Sequence, residues 1–309
     1  PYRKIISSMP SWKEIKSRIK SVSNTRKITK AMELIYTVKM KKAQESVMRQ
    51  RPFALVALEI LASAIHSKDV FAVYSHTPES ETELIVMIAS QKWLCGSYNV
   101  SAYKKTVEYI EYDDDTPYTR AYEYVTVGKH ARDFVLRTGQ KLVADFSDEI
   151  GDTLSSHDVR KVTRVLIEEW KTGKYAKITV IYNNYISAIA YEAVARTFLP
   201  LVPEEIVAYL EAIKHTSKHL TEPHEHTIEP DIQTLIDITL PMILEVQFHE
   251  ILSEARASEY SARMIAMKNA SDSAHKKVDS LTLVYNKTRQ AVITKEVSEI
   301  VSGVESMKE

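Results

Sequence analysis

The chain has 309 residues with 41 basic and 41 acidic side chains, but only 6 Gly and 1 Cys. At the usual frequency of about 7%, glycine would be roughly three times as common. No two of Gly96, Gly128, Gly139, Gly151, Gly173 and Gly303 stand at the spacing of a GxGxxG, GxxxxGK[ST] or GxSxG loop, which excludes the commonest nucleotide-binding and hydrolase signatures. Cys95 alone allows neither an intrachain disulfide nor a CxxC pair, and a reducing compartment is expected. No apolar run, Leu84 to Ala89 included, nears the roughly 20 residues that cross a bilayer, so a soluble or peripheral chain is expected.

From Ser11 to Arg51 there is neither Gly nor Pro, and Pro10 and Pro52 bracket the stretch as helix boundaries. Trp12, Ile15, Ile19, Val22, Ile28, Met32, Ile35 and Val38 recur mostly three and four apart and form a narrow apolar stripe. The middle changes rhythm. Leu84 to Ala89 reads as a buried strand, Tyr98 to Tyr112 as a helix, Tyr122 to Val127 as a strand, and Lys129 to Arg137 as a helix between Gly128 and Gly139. Lys141 to Phe146 reads as a strand and Ser155 to Lys171 as a helix opening on a Ser/Asp-rich cap. Lys177 to Asn183 and Ile186 to Phe198 are β-rich runs around a turn at Asn183 and Asn184. This alternation implies a small α/β domain with a largely parallel sheet. Asp113 to Asp115 look like a surface loop and Thr221 to Asp231 like a polar linker.

A second stretch without Gly or Pro runs from Met242 to Ser302, with Pro241 before it and Gly303 after it. Leu244, Phe248, Ile251, Ala255, Ala262 and Ile265, then Val278, Leu281, Val292, Val297, Ile300 and Val304, form its stripe, again of coiled-coil type. As a helix it would run about 90 Å, whereas a compact globule of this length has a radius of gyration near 19 Å, so it must leave its own domain. Antiparallel pairing with the first helix would cover about 40 residues of each and leave the part from Leu283 onward projecting for roughly 30 Å. That part carries Val284, Val292, Ile293, Val297, Ile300 and Val301 and calls for a sleeve supplied by another protein.

The candidates for chemistry are few. His215, His219, His224 and His226 cluster, but no HExxH is formed, and a solvated linker helix is expected rather than a metal site. Cys95 has no neighbouring His or second Cys, so buried packing is favoured over a catalytic thiol. The first helix has twelve basic residues between Lys13 and Arg51 against Glu14, Glu33 and Glu45, which points to an acidic partner, protein or nucleic acid. The basic residues spread around the helix and no aromatic interleaves between Trp12 and Tyr36, which weighs against nucleic acid.

Three segments carry a resemblance. SWKEIKSRIKSVSNTRKITKAMELIYTVKMKKAQ from Ser11, the stretch from Glu229 to Gly303 with EPD, ASEYSARMIAMKNASDSA and LTLVYNKTRQAVITKEVSEIVSG, and LCGSYN at Leu94 to Asn99 resemble the gamma subunit of F-type ATP synthase. The resemblance implies an α/β fold plus a long antiparallel coiled coil: terminal helices as the shaft, and a small Rossmann-like domain without a nucleotide-binding loop as the foot. It implies residues 1–75 and 204–309 as shaft and linker, and 76–203 as the foot. It also implies a non-catalytic central rotor without cofactor or metal, which couples c-ring rotation to ATP synthesis in the beta subunits. The partners implied are alpha and beta subunits, delta or epsilon subunits and the c-ring, with no nucleic acid. By resemblance, Arg289 and Gln290 contact a beta-subunit loop, with Thr294 and Lys295 one turn on, and Lys27, Lys30 and Met32 run near an acidic lever of beta. Two departures from the family pattern stand out: Gln91, Lys92 and Trp93 where a DRG-like turn is usual, and Tyr36, Thr37 and Val38 in an AAAK-like run. Length and the added segments favour a mitochondrial chain, peripheral on the matrix side of the inner membrane.

Overall fold

Alternating β-branched runs and short amphipathic helices form the middle of the chain, and glycine-free helices form its flanks. A computed structural model describes residues 11–64, 78–113, 120–151, 154–201 and 231–307. The elements in order are α1 (Trp12–Ala64), β1 (Thr82–Ile88), α2 (Tyr98–Asp113), β2 (Ala121–Val127), α3 (Lys129–Arg137), β3 (Lys141–Asp145), α4 (Ser156–Lys171), β4 (Lys177–Ser187), β5 (Ala190–Leu199) and α5 (Ile232–Ser306). None of the helices among the described residues is long and apolar enough to cross a membrane. The chain divides into two compact units, Tyr36–Arg263 and Pro1–Ile35 with Met264–Glu309.

In the first unit the sheet order is β3-β2-β1-β4-β5. β1 pairs in parallel with β2 and β4, β2 in parallel with β3, and β5 closes the edge antiparallel to β4. Both faces of the central strands are covered, so these strands read as continuous apolar runs. Leu84, Val86, Ile88, Val125, Val180 and Tyr182 face α4 and the Leu240–Ala255 part of α5. Ile85, Met87, Tyr124 and Ile181 face α2 and α3 through Ala102, Ala131 and Val135. Ser155 caps α4 by accepting a hydrogen bond from the Asp158 N–H, as the Ser/Asp-rich start suggested.

The amino ends of the strands carry two buried carboxylates. Glu83 accepts from Tyr109 Oη at 2.7 Å and from Thr179 Oγ1, with Arg120 Nη1 3.7 Å from its other oxygen. Glu123 accepts from Lys141 Nζ at 2.8 Å, Lys174 Nζ at 2.5 Å and Tyr175 Oη at 2.8 Å. Burial alone would raise the Glu123 pKa, but these three donors outweigh it and bring the carboxyl down to about 2.

Prolines do not bound the long helices as expected. Pro52 lies within α1, and both Pro241 and Gly303 lie within α5. An interior proline costs about 3 kcal/mol, but Leu240, Ile243 and Leu244 beside Pro241 are buried against the sheet, and each such side chain contributes about 1.5–3 kcal/mol. Tertiary packing therefore carries the helix across the break. The expected turn at Asn183 and Asn184 is also displaced: both lie inside β4, and the hairpin turns between Ser187 and Ala190. Asn183 is fully buried and donates from Nδ2 to Tyr98 O at 3.0 Å, which explains an amide in mid-strand.

Candidate functional site

In the unit built from both chain ends, Trp12 packs on Tyr285 with ring centroids 6.1 Å apart. On α5 a series of covered positions, Met264, Met267, Ser271, Ala274, Val278, Leu281, Tyr285, Thr288 and Val292, alternates three and four apart, with Ile265, Ala266 and Ala270 also partly covered beside it. On α1 the matching series is Trp12, Ile15, Ile19, Val22, Arg26, Thr29 and Glu33. With Trp12 at Tyr285, the most buried α5 positions, Met267, Ser271 and Ala274, lie toward its amino end, where α1 continues past Trp12; the pair is antiparallel.

The sequence stripe of α1 matches this seam only through Val22. Beyond it the seam passes through Arg26, Thr29 and Glu33, whereas Ile28 is 61% exposed and Leu34 and Ile35 also face outward. The small Ser271 and Ala274 in the α5 seam leave room for polar residues there, so apolar side chains are left on the outside. The α5 seam ends at Val292. The remaining helix to Ser306 is about 20 Å long at 1.5 Å per residue, a shorter projection than expected. Ile293, Val297, Ile300, Val301 and Val304 are all exposed along it.

The partner-contact residues read from the sequence fall at two levels of this unit. Arg289, Gln290 and Thr294 are exposed near the end of the seam. The Arg289 guanidinium lies 5.8 Å over the Tyr285 ring, which is itself held by Trp12. Lys295 pairs with Glu299 at 3.7 Å. Lys27 and Lys30 are exposed on α1, Lys30 bonded to Glu33 at 2.9 Å, and Met32 is half-buried. Counting 1.5 Å per residue from the Trp12–Tyr285 contact places Lys27 roughly 30 Å along the helix pair from Arg289. The structure therefore forms two separate surfaces, not one cluster.

In the other unit, an open parallel sheet would take a ligand at the carboxyl ends of its strands where the order reverses, here between β1 and β4. That crevice is filled by protein. Tyr98, at the start of α2, donates its hydroxyl to Ala255 O of α5 at 3.0 Å and packs on Tyr191. Cys95 is buried between the Ser90 hydroxyl and the Asn99 amide, each 3.5 Å from its sulfur, which fits the packing role. Trp93, the residue that departs from the family turn, is 73% exposed and meets His130 edge-on at 4.1 Å. Gly128, opening α3 at φ +96°, approaches so closely that a Cβ there would sit 2.2 Å from Ala89 O. The histidines at 215, 219, 224 and 226, and Asp114 and Asp115, lie outside the described residues.

Sequence reasoning missed a buried triad on α5. Glu259 accepts from Arg263 Nη2 at 2.8 Å and from Arg256 Nη1 at 3.2 Å. Arg256 also donates to the carbonyls of Ile150 and Gly151, and Arg263 to those of Lys92 and Trp93. The signal was present as opposite charges at three- and four-residue spacing in a run whose other side chains, Tyr260 apart, are small: Ala257, Ser258, Ser261 and Ala262.

The ATP synthase family model matches residues 11–307. The chain is 33% identical over 304 residues to the ATP synthase gamma chain of Amoebophilus asiaticus (strain 5a2), covering 97% of this chain and 100% of the relative. It is 35% identical over 300 residues to that of Delftia acidovorans (strain DSM 14801 / SPH-1), covering 96% and 99%. Among solved structures it is similar to a chain of the Euglena gracilis mitochondrial ATP synthase (OSCP/F1/c-ring, rotational state 3), with a TM-score of 0.62, 18% identity and coverage of 96% of this chain and 94% of that one. A chain of the Tetrahymena thermophila mitochondrial ATP synthase central stalk and c-ring matches with a TM-score of 0.55 and 22% identity over 79% and 99%. At these identities the structural likeness is one of fold, and the sequence relatives carry the assignment: the chain belongs to the ATP synthase gamma chain family.

Proposed function

We propose that the chain is the rotating central stalk of an F-type ATP synthase and that it performs no chemistry itself. The observation that carries this reading is the end of α5, a helix whose exposed Ile293, Val297, Ile300, Val301 and Val304 meet no packing from the described residues. Covering each such side chain fully contributes about 1.5–3 kcal/mol, so a ring of subunits around this helix would be strongly favoured. The alpha and beta subunits form that ring. Arg289, Gln290 and Thr294 meet a beta-subunit loop, and Lys27, Lys30 and Met32 meet an acidic segment of beta further down. Arg289 suits the first task because its guanidinium, braced on Tyr285, offers a planar fork of donors. A shaft with unlike faces binds the beta conformers unequally and so shifts their populations as it turns. Residues 76–203 act as the foot, joined to the delta or epsilon subunits and the c-ring, and 1–75 and 204–309 as shaft and linker. The chain works as a peripheral subunit on the matrix side of a mitochondrial inner membrane.

The test is affinity purification of the tagged chain from its own cells. Stoichiometric alpha and beta subunits are expected, and their absence overturns the reading. In the intact complex, Arg289→Ala should lower ATP synthesis and hydrolysis several-fold while assembly stays near the wild-type level. Normal turnover in that complex removes Arg289 from the contact.

A further inference from the structure

A rotor foot must pass torque into a helix, and apolar packing is poorly suited to that because it is non-directional. Directional groups are concentrated at one place in the Tyr36–Arg263 unit. Arg263 is 1% exposed. Its Nη2 donates to Lys92 O at 2.9 Å and its Nε to Trp93 O at 3.3 Å, both in the loop between β1 and α2. Its Cζ lies 4.8 Å over the Tyr36 ring of α1. Tyr36 packs on Tyr260 with ring centroids 5.7 Å apart and planes tilted by 36°, and Lys39 Nζ sits 5.6 Å and 5.8 Å from those two rings. Through Glu259, the same arginine is tied to Arg256, which holds the carbonyls of Ile150 and Gly151 in the loop before α4.

We propose that Arg263, braced by the Tyr36–Tyr260–Lys39 cluster and by Glu259, is a positioning residue that keys the sheet to both long helices, so that torque on the foot turns the shaft without slip. The proposal rests on the stalk reading. Two loops from different parts of the sheet are pinned to two successive turns of α5, and the guanidinium of Arg263 also meets α1. Charge-assisted hydrogen bonds of fixed geometry resist sideways displacement, and burial keeps water from replacing them. Tyr36 and Tyr260 supply flat faces to which both cations adhere.

Two measurements test it. In membrane vesicles holding the assembled complex, ATP-driven proton pumping is divided by ATP hydrolysis. Arg263→Met is expected to lower that ratio at least threefold, Arg263→Lys to lower it less, since it keeps the charge but not the fork, and Tyr36→Leu to lower it in the same direction while leaving the buried charges paired. A merely structural role would reduce pumping and hydrolysis together and leave the ratio unchanged, and an unchanged ratio in Arg263→Met, or in Tyr36→Leu where the first variant does not assemble, overturns the proposal. The second measurement needs no complex: hydrogen exchange on the full chain at the Ser90 and Tyr98 amides, bonded to Asn99 Oδ1 and Cys95 O. These should exchange at least tenfold faster in Arg263→Met while the β4 amides keep their rates. Equal protection overturns the clamp even where purification has already overturned the stalk reading, so the two failures are told apart.

Discussion

Gly128→Ala should be among the most damaging single-atom-group additions in this chain. The new Cβ would lie 2.2 Å from Ala89 O and 3.0 Å from Ala89 C, both backbone atoms, so no side chain can swing aside. Relief requires separating the start of α3 from the end of β1, which strains the bonds from Ala89 N to Val127 O at 3.0 Å and from His130 N to Ser90 O at 3.2 Å. Holding a residue with a Cβ at φ +96° costs about 1–2 kcal/mol, and forcing an extra carbon into a packed site about 1–3 kcal/mol. The sum, about 2–5 kcal/mol, is a large part of the 5–15 kcal/mol typical of a folded domain. Gly139→Ala is the internal control, since it shares a positive φ of +68° but meets nothing within 4 Å, and should lose only about 1–2 kcal/mol. Urea unfolding of the full chain, followed by circular dichroism, measures both. If the two alanines cost the same, the close approach to Ala89 is not what fixes glycine at 128.

Ile15→Ala, at a buried seam position, should destabilise the chain by about 2–4 kcal/mol, whereas Ile28→Ser, outside the seam, should stay within about 0.5 kcal/mol; thermal melts of the two variants decide whether the seam runs as described. Glu123 contributes stability that is fully present above the ordinary carboxyl value of 4.5 and is lost as pH falls toward 2. Lys174→Met removes one donor, moves the folded pKa back toward 4.5 and should make the variant less stable at pH 7 but less sensitive between pH 5 and pH 3, read from urea midpoints. Burial lowers the pKa of both His130 and His249, so each is held neutral and destabilises the fold when forced to charge. Stability should therefore decline as pH falls below 6.5, and His130→Gln should flatten that decline.

The α/β domain was legible because its signals are local. Lys129 to Arg137 was placed to the residue by the glycines on either side, and Ser155 announced α4 by its cap chemistry. Where the reading failed, distant packing outweighed local preference. Pro241 looked like a boundary because nothing in its neighbourhood shows that Leu240, Ile243 and Leu244 will be buried on the sheet. Asn183 looked like a turn because its partner, the Tyr98 carbonyl, lies 85 residues away. The α1 stripe drifted after Val22 because the helix is apolar on two sides, and hydrophobicity alone does not tell a seam from an exposed apolar face.

The same limit governs the site. The contacts proposed for Arg289 and Lys27 rest on motif likeness, and the two levels of these residues along the helix pair follow only from the Trp12–Tyr285 contact, which sets the register. The Arg256–Glu259–Arg263 triad was visible only as charge spacing, since its acceptors are backbone carbonyls that leave no trace in residue identity. Glycine scarcity takes on a different meaning as well. Pro52, Pro241 and Gly303 all lie inside the long helices, so the stretches free of glycine and proline do not mark where those helices end. Gly128, by contrast, sits where a dinucleotide fold would bring backbone close to phosphate and brings it close to the Ala89 carbonyl instead. With Tyr98, Arg263 and α5 closing the remaining space, the end of the sheet that binds ligands in related architectures has become the attachment point of a helix.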